Sequence, residues 1–186
     1  LKDSNNHFYL KQSKSGSTTK EINPAFTNYI SAFSSGVISN GSNIRIRLME
    51  EQNDIVVDEE IDETLFEFTP DIKGVAVWID TRTIEFRPES LLLSGKMYEA
   101  EFHLHKILEV PDDLETLDFN FQTMAQSLTV DFEGFKTYKL DDLSWQKMNG
   151  ILSTADIAYD ENIEELLQAT QNGVKLNISW DHGGDG

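Results

Sequence analysis

The chain contains no cysteine, which removes a disulfide framework, a thiolate metal site and a cysteine nucleophile together. It does not fix the compartment, since many periplasmic proteins lack disulfides. Basic residues are scarce: 15 Lys and Arg stand against 33 Asp and Glu, a formal charge of −18. That sign argues against nucleic acid and anionic membrane surfaces as partners, because both need clustered Lys and Arg to offset phosphate. No apolar run approaches the ~20 residues that span a bilayer. No signal peptide is visible, and the sequence starts at Leu1 rather than at methionine, so a processed or truncated amino terminus is expected. G-x-S-x-G, P-loop, G-x-G-x-x-G and H-E-x-x-H signatures are all missing, which leaves nucleophilic, nucleotide and zinc-protease chemistry without support. The expectation is a protein that is not an enzyme, with no catalytic, cofactor-binding or metal residues and no cofactor.

What is present is a globular composition, 39% apolar with 11 Phe and 3 Trp among 186 residues, with room for two small sandwiches of roughly 100 residues each. The organising stretch is 65–104. Leu65-Phe66-Glu67-Phe68-Thr69, Val75-Ala76-Val77-Trp78-Ile79, Thr83-Ile84-Glu85-Phe86-Arg87 and Met97 to Leu104 each alternate bulky with polar residues, the period of a half-buried strand. Pro70-Asp71, Gly74, Asp80-Thr81, Pro88-Glu89 and Ser94-Gly95 punctuate them with residues suited to tight turns. A meander of this kind predicts a mainly β chain built on an antiparallel β-sandwich.

The same residues carry a family likeness. Phe68-Thr69-Pro70, Gly74, Trp78, Thr83-Ile84-Glu85-Phe86-Arg87-Pro88, Leu91-Leu92, Gly95 and Tyr98, in that order, resemble the bacterial Ig-like domain near the amino terminus of bacterial alpha-2-macroglobulin-like proteins. Lys96-Met97 stands where that pattern has a Thr before the Tyr. Further on, Gly150 to Asp156, then a helical stretch, then Leu176 to His182, resemble the second domain of those proteins. The likeness runs from about Phe26 to the end of the chain.

The domains read as a flexible tether over 1–25, an Ig-like β-sandwich over 26–125, and a second, incomplete macroglobulin-like β domain with one short helix over 126–186. The Ser/Thr-rich leader suits a tether to a lipidated anchor, with a frayed terminus of no role as the plainer reading. Phe26 to Phe33 looks like a first strand, closed by Ser34-Ser35-Gly36. Asn40-Gly41 then reads as a turn before Ile44-Arg45-Ile46-Arg47-Leu48. Asp118 to Met124 reads as the strand that closes the sandwich. In the second part, Leu128 to Glu133 and Trp145 to Leu152 read as strands. Ile163, Leu166, Leu167 and Thr170 fall at helical spacing, predicting a helix over 160–171 with Asn172-Gly173 as its stop. A strand over 174–180 follows.

Few residues suggest chemistry. His103 and His105, two apart on one strand, would share a face and could grip a transition metal with Glu99 or Glu101 nearby, although ordinary surface histidines are the stronger reading. The acidic stretch 50–63 reads as edge protection and lacks the ligand spacing and glycine of a calcium loop. Asp112-Asp113, Asp141-Asp142 and the tail Asp181-His182-Gly183-Gly184-Asp185-Gly186 read as solvated turns. Trp78, Trp145 and Trp180 lie in strand-like runs and are expected in a core rather than on a carbohydrate-stacking face.

The likeness implies a protease-trapping protein whose reactive thioester needs a Cys and a Gln. This chain would then be its non-catalytic amino-terminal scaffold, held at a bacterial cell envelope through an N-terminal lipid anchor, with downstream domains of the full-length chain as partners and proteases met only through that whole protein. The alternatives are a stand-alone Ig-like adhesion or carbohydrate-binding module and a calcium-dependent interaction domain. The apolar row Val174, Leu176, Ile178 and Trp180 further predicts weak self-association along an open strand edge.

Overall fold

The computed structural model describes residues 22–61, 64–139 and 142–183. Thirteen elements carry the argument: β1 (Ile30–Phe33), β2 (Gly36–Ile38), β3 (Ile44–Leu48), β4 (Phe66–Thr69), β5 (Gly74–Trp78), β6 (Thr83–Pro88), β7 (Met97–His103), β8 (Thr116–Thr123), β9 (Leu128–Lys139), β10 (Asp142–Thr154), α1 (Asp160–Glu164), β11 (Thr170–Gln171) and β12 (Val174–Lys175). The first eight strands form two four-stranded sheets, β1-β3-β6-β5 and β2-β8-β7-β4. Both are antiparallel except at one edge, where β2 runs parallel to β8. The chain is mainly β and the β-sandwich expected from the sequence is present.

Alternation explains the layers. In β3, Ile44, Ile46 and Leu48 are buried while Arg45 and Arg47 face water; in β8, Leu117, Phe119, Phe121 and Thr123 point inward. The sheets meet through aromatic rings: Phe86 of β6 sits with its centroid 4.8 Å from that of Phe68 and 5.6 Å from that of Phe66, both on β4. Such tilted pairs add to what area burial alone contributes. Trp78 and Phe86 belong to this core, as their places in the alternation require. At the start of β7, Tyr98 stacks on Phe121 and its hydroxyl accepts the Leu93 backbone N–H at 3.0 Å, pinning the preceding turn much as the tyrosine corner of Ig-like sandwiches does. Gly74 is required by close approach, because a methyl there would overlap the Arg87 carbonyl oxygen and the Phe86 ring.

Several expectations change. Phe26 lies in a 3₁₀ turn, Pro24–Asn28, rather than in a strand, because Asn23 accepts the Ala25 N–H and Pro24 starts the turn. Ile22 and Ala25 pack against the core, so the end of the expected tether is part of the sandwich; residues 1–21 lie outside the described residues. The helix of 160–171 shortens to α1. Asn172 (φ 52°) and Gly173 (φ 80°) are both left-handed and form the two-residue loop between β11 and β12, with Gln171 opposite Val174, the backbone pattern of a type I′ hairpin. Strand pairing takes Thr170 and Gln171 from the helix, and the strand over 174–180 is ordered as such only at Val174–Lys175. After Thr123 no residue whose side chain is described is buried. β9 and β10 form a long two-stranded ribbon, and no other described strand pairs with it.

Candidate functional site

His103 and His105 do come together, with ring centroids 5.8 Å apart. Each is engaged separately: His103 Nε2 lies 3.1 Å from Glu67 Oε1 and its Nδ1 3.3 Å from Thr116 Oγ1, while His105 Nδ1 lies 3.1 Å from the Glu115 carbonyl oxygen. β7 ends at His103, and His105 sits in a 3₁₀ turn, so the shared strand face is lost between them. Glu99 and Glu101 do not complete a ligand set, for no group of three His, Asp or Glu suited to a metal exists among the described residues.

The acidic stretch also disperses. Glu51 pairs with Arg82 and Asp58 with Arg87. The Asp58 and Ile61 N–H groups donate to the Trp78 and Ala76 carbonyls, laying residues 58–61 along the free edge of β5. That is edge protection, achieved by covering the strand. Asp62 and Glu63 lie outside the described residues, as do Asp141, Gly184, Asp185, Gly186 and the side chains of Asp142 and Trp145. Trp78 is interior. Asp113 lies within hydrogen-bond range of Asn23. His182, in the expected free tail, instead bridges Glu164 at 2.9 Å and Asp160 at 3.3 Å. The Glu164 hydrogen bond, with the charges of Asp160 and Asp181, holds its imidazole above the ordinary range against desolvation.

The most constructed polar feature is a joint between the sandwich and the ribbon, built on Asp156. Three segments converge there: the Asn40-Gly41 turn between β2 and β3, the linker 124–127 between β8 and β9, and residues 155–157 after β10. The Asp156 carboxylate accepts Ser39 Oγ–H at 2.5 Å and the Asn40 N–H at 2.7 Å, and also the Ile157 N–H at 2.9 Å. Gln126 reads the Asp156 backbone with both ends of its amide: Oε1 accepts the Asp156 N–H at 3.0 Å and Nε2 donates to the Asp156 carbonyl at 2.8 Å. Asn40 Nδ2 donates to the Ile157 carbonyl at 3.0 Å, and Ala155 N–H donates to the Ser127 carbonyl at 2.9 Å. Burial raises the Asp156 carboxyl pKa, but the Ser39, Asn40 and Ile157 donors together outweigh it and leave the group below its ordinary range. The Ile157 side chain closes on Gly41.

A second charged cluster stiffens the outer face of the first sheet. Glu85, 3% exposed, accepts from Arg45 Nε at 2.7 Å and from Arg87 Nε at 2.8 Å. Desolvation raises its pKa, yet the two guanidinium partners bring it below the ordinary carboxylate value. At the β5–β6 turn, Asp80 is held low mainly by the Arg82 N–H, with Thr83 and Arg47 adding to it against desolvation.

No family model matches the chain. No curated protein matches it either. Among solved structures the chain is similar to L,D-transpeptidase 3 from Mycobacterium tuberculosis in complex with a faropenem-derived adduct, with a TM-score of 0.37 and 11% identity, covering 55% of this chain and 40% of that one. The chain thus spans less than half of that protein's length, and the likeness bears on neither activity nor substrate.

Sequence reasoning missed the joint. Asn40-Gly41 stood out as a turn and 125–126 as a boundary, but nothing local announces that Asp156, 116 positions from Asn40, would close on both.

Proposed function

We propose that this chain is a non-catalytic scaffold from the amino-terminal part of a bacterial alpha-2-macroglobulin-like, protease-trapping protein of the cell envelope, and that its task is to hold and space other modules. The observation that carries the reading is the Asp156 joint, which ties a long ribbon to a sandwich through hydrogen bonds from three segments. A spacer must transmit orientation, and a linker of ordinary flexible residues would not. The Ig-like sandwich and the order of motifs from Phe68 to Tyr98 agree with this reading. Periplasmic or outer-surface placement, a lipid anchor and protease capture are parts of the same proposal.

The test uses the complete gene product containing these residues, challenged with an active protease. Capture as a covalent conjugate, abolished by a small amine that opens thioesters, supports the proposal. A complete product with no thioester Cys and Gln and no captured protease contradicts it. Specific binding of the chain to a glycan array would favour the stand-alone carbohydrate-binding alternative.

A further inference from the structure

Three Asn-Gly pairs occur in the chain: Asn40-Gly41, Asn149-Gly150 and Asn172-Gly173. An asparagine before glycine carries electrophile and nucleophile side by side. The glycine backbone nitrogen can attack the side-chain amide carbon, and glycine has no Cβ to obstruct the approach. The fold sorts the three pairs by whether those two groups are free. Asn40 is 7% exposed and its Nδ2 donates to the Ile157 carbonyl, while the Gly41 N–H donates to Ser39 Oγ at 3.2 Å. Ile157 and Leu91 close over Gly41. Asn149 is half-buried and its side chain bonds Glu133. Asn149 and Gly150 also sit in the β9–β10 register, opposite Gly134 and Phe132. Groups held in this way react only when their surroundings open.

At Asn172-Gly173 neither restraint is present. Both residues are exposed at the tip of the β11–β12 hairpin, and the Asn172 side chain bonds to no described residue. Nothing lies within 4 Å of where a Gly173 Cβ would stand. Asn172 holds φ 52°, a left-handed conformation that asparagine tolerates, and the N–H between the two loop residues takes no part in the strand ladder. We infer that Asn172 is a site of spontaneous deamidation, with water as its sole co-reactant. The Gly173 nitrogen bonds to Asn172 Cγ, the Cγ–Nδ2 bond breaks, and ammonia leaves with the proton from Gly173, closing a succinimide ring. Water then opens the ring. Opening at the side-chain carbonyl yields aspartate, and opening at the main-chain carbonyl yields isoaspartate. Nothing is oxidised or reduced. The isoaspartyl product routes the backbone through Cβ, which lengthens a loop whose length sets the strand register. Two pairs, Thr170 with Lys175 and Gln171 with Val174, hold this hairpin, and the Leu176 N–H to Ala169 carbonyl bond adjoins them. The reaction therefore opens the hairpin and adds a negative charge to it. The inference does not depend on the scaffold reading.

Peptide mapping by mass spectrometry tests it, on the intact chain aged in mildly alkaline buffer and then digested at acid pH. In the folded chain Asn172 should be converted to acid about tenfold faster, or more, than Asn40 and Asn149, which must first leave their hydrogen bonds. In denaturant the three rates should converge, because each Asn-Gly pair is then equally free. The isoaspartyl product carries an extra negative charge and separates by anion exchange. In it the amides of residues 174 and 176 should lose protection against hydrogen exchange, while those of β3 and β8 keep theirs. An Asn172 that stays intact while the denatured chain reacts overturns the inference, as does an Asn172 matched in the folded chain by Asn40 or Asn149. An isoaspartyl product in which residues 174 and 176 exchange as before overturns the opening of the hairpin.

Discussion

Replacing Asp156 with Ala removes the carboxylate that receives Ser39 Oγ–H at 2.5 Å and the Asn40 N–H at 2.7 Å. Hydrogen bonds to a charged acceptor contribute about 1.5 to 3 kcal/mol each when buried. This carboxylate is only partly buried, so water competes for it, and about 2 kcal/mol for the two bonds together is a fair magnitude. The ratio of docked to undocked ribbon should then fall about 30-fold. Hydrogen exchange reads this directly at the amides of residues 155 and 156, which donate to the Ser127 carbonyl and to Gln126 Oε1. Their protection should drop by that factor while amides in β3, β6 and β8 keep theirs. Because the folded pKa of Asp156 is lowered, its contribution is fully present above the ordinary carboxylate range near pH ~4 and is lost as pH falls through the depressed folded value. Docking should therefore be flat from neutral pH downward and weaken only in acid, with Asp156→Asn abolishing that dependence. Unchanged protection at 155 and 156 in the Ala variant would refute the joint. An equal loss across the sandwich core would show that sandwich and ribbon unfold as one unit.

Three further outcomes concern the sandwich. Trp78→Ala or Phe86→Ala should each cost about 3 to 5 kcal/mol in denaturant unfolding, and a loss below about 1 kcal/mol for both would mean that the opposite strand faces are the buried ones. Replacing Arg45 and Arg87 together with Gln leaves Glu85 buried without its guanidinium partners; this should cost about 3 kcal/mol at neutral pH, with part regained in acid as Glu85 takes a proton, which melting curves across pH would reveal. Gly74→Ala should destabilise by about 1 to 3 kcal/mol, since the added methyl meets backbone and ring atoms that cannot both yield, and a variant of wild-type melting temperature would contradict the packing.

The sandwich was legible because alternation is written wherever one strand face is buried and the other is wet. Ile44-Arg45-Ile46-Arg47-Leu48 reproduces its strand residue for residue, and Thr83 to Arg87 differs by the single added Pro88. β9 and β10 outran their expected lengths: none of their described side chains is buried, so burial does not mark where these strands end. The Asn172-Gly173 pair was misread for a different reason: left-handed residues end a helix and also make a two-residue hairpin loop, and only the pairing of Gln171 with Val174 decides between them. Asp156 and Gln126 are ordinary loop residues in sequence. Their importance comes entirely from partners brought close by the fold.

The central claim, that the chain holds its ribbon at a set orientation on the sandwich, is tested most directly by residual dipolar couplings measured on the intact, weakly aligned protein at a concentration where it is monomeric. One alignment tensor should fit the amides of both 30–123 and 128–137, with Asp156→Ala splitting that fit. Two tensors of different magnitude in the unaltered chain would mean that sandwich and ribbon reorient independently, and the scaffold account would fail.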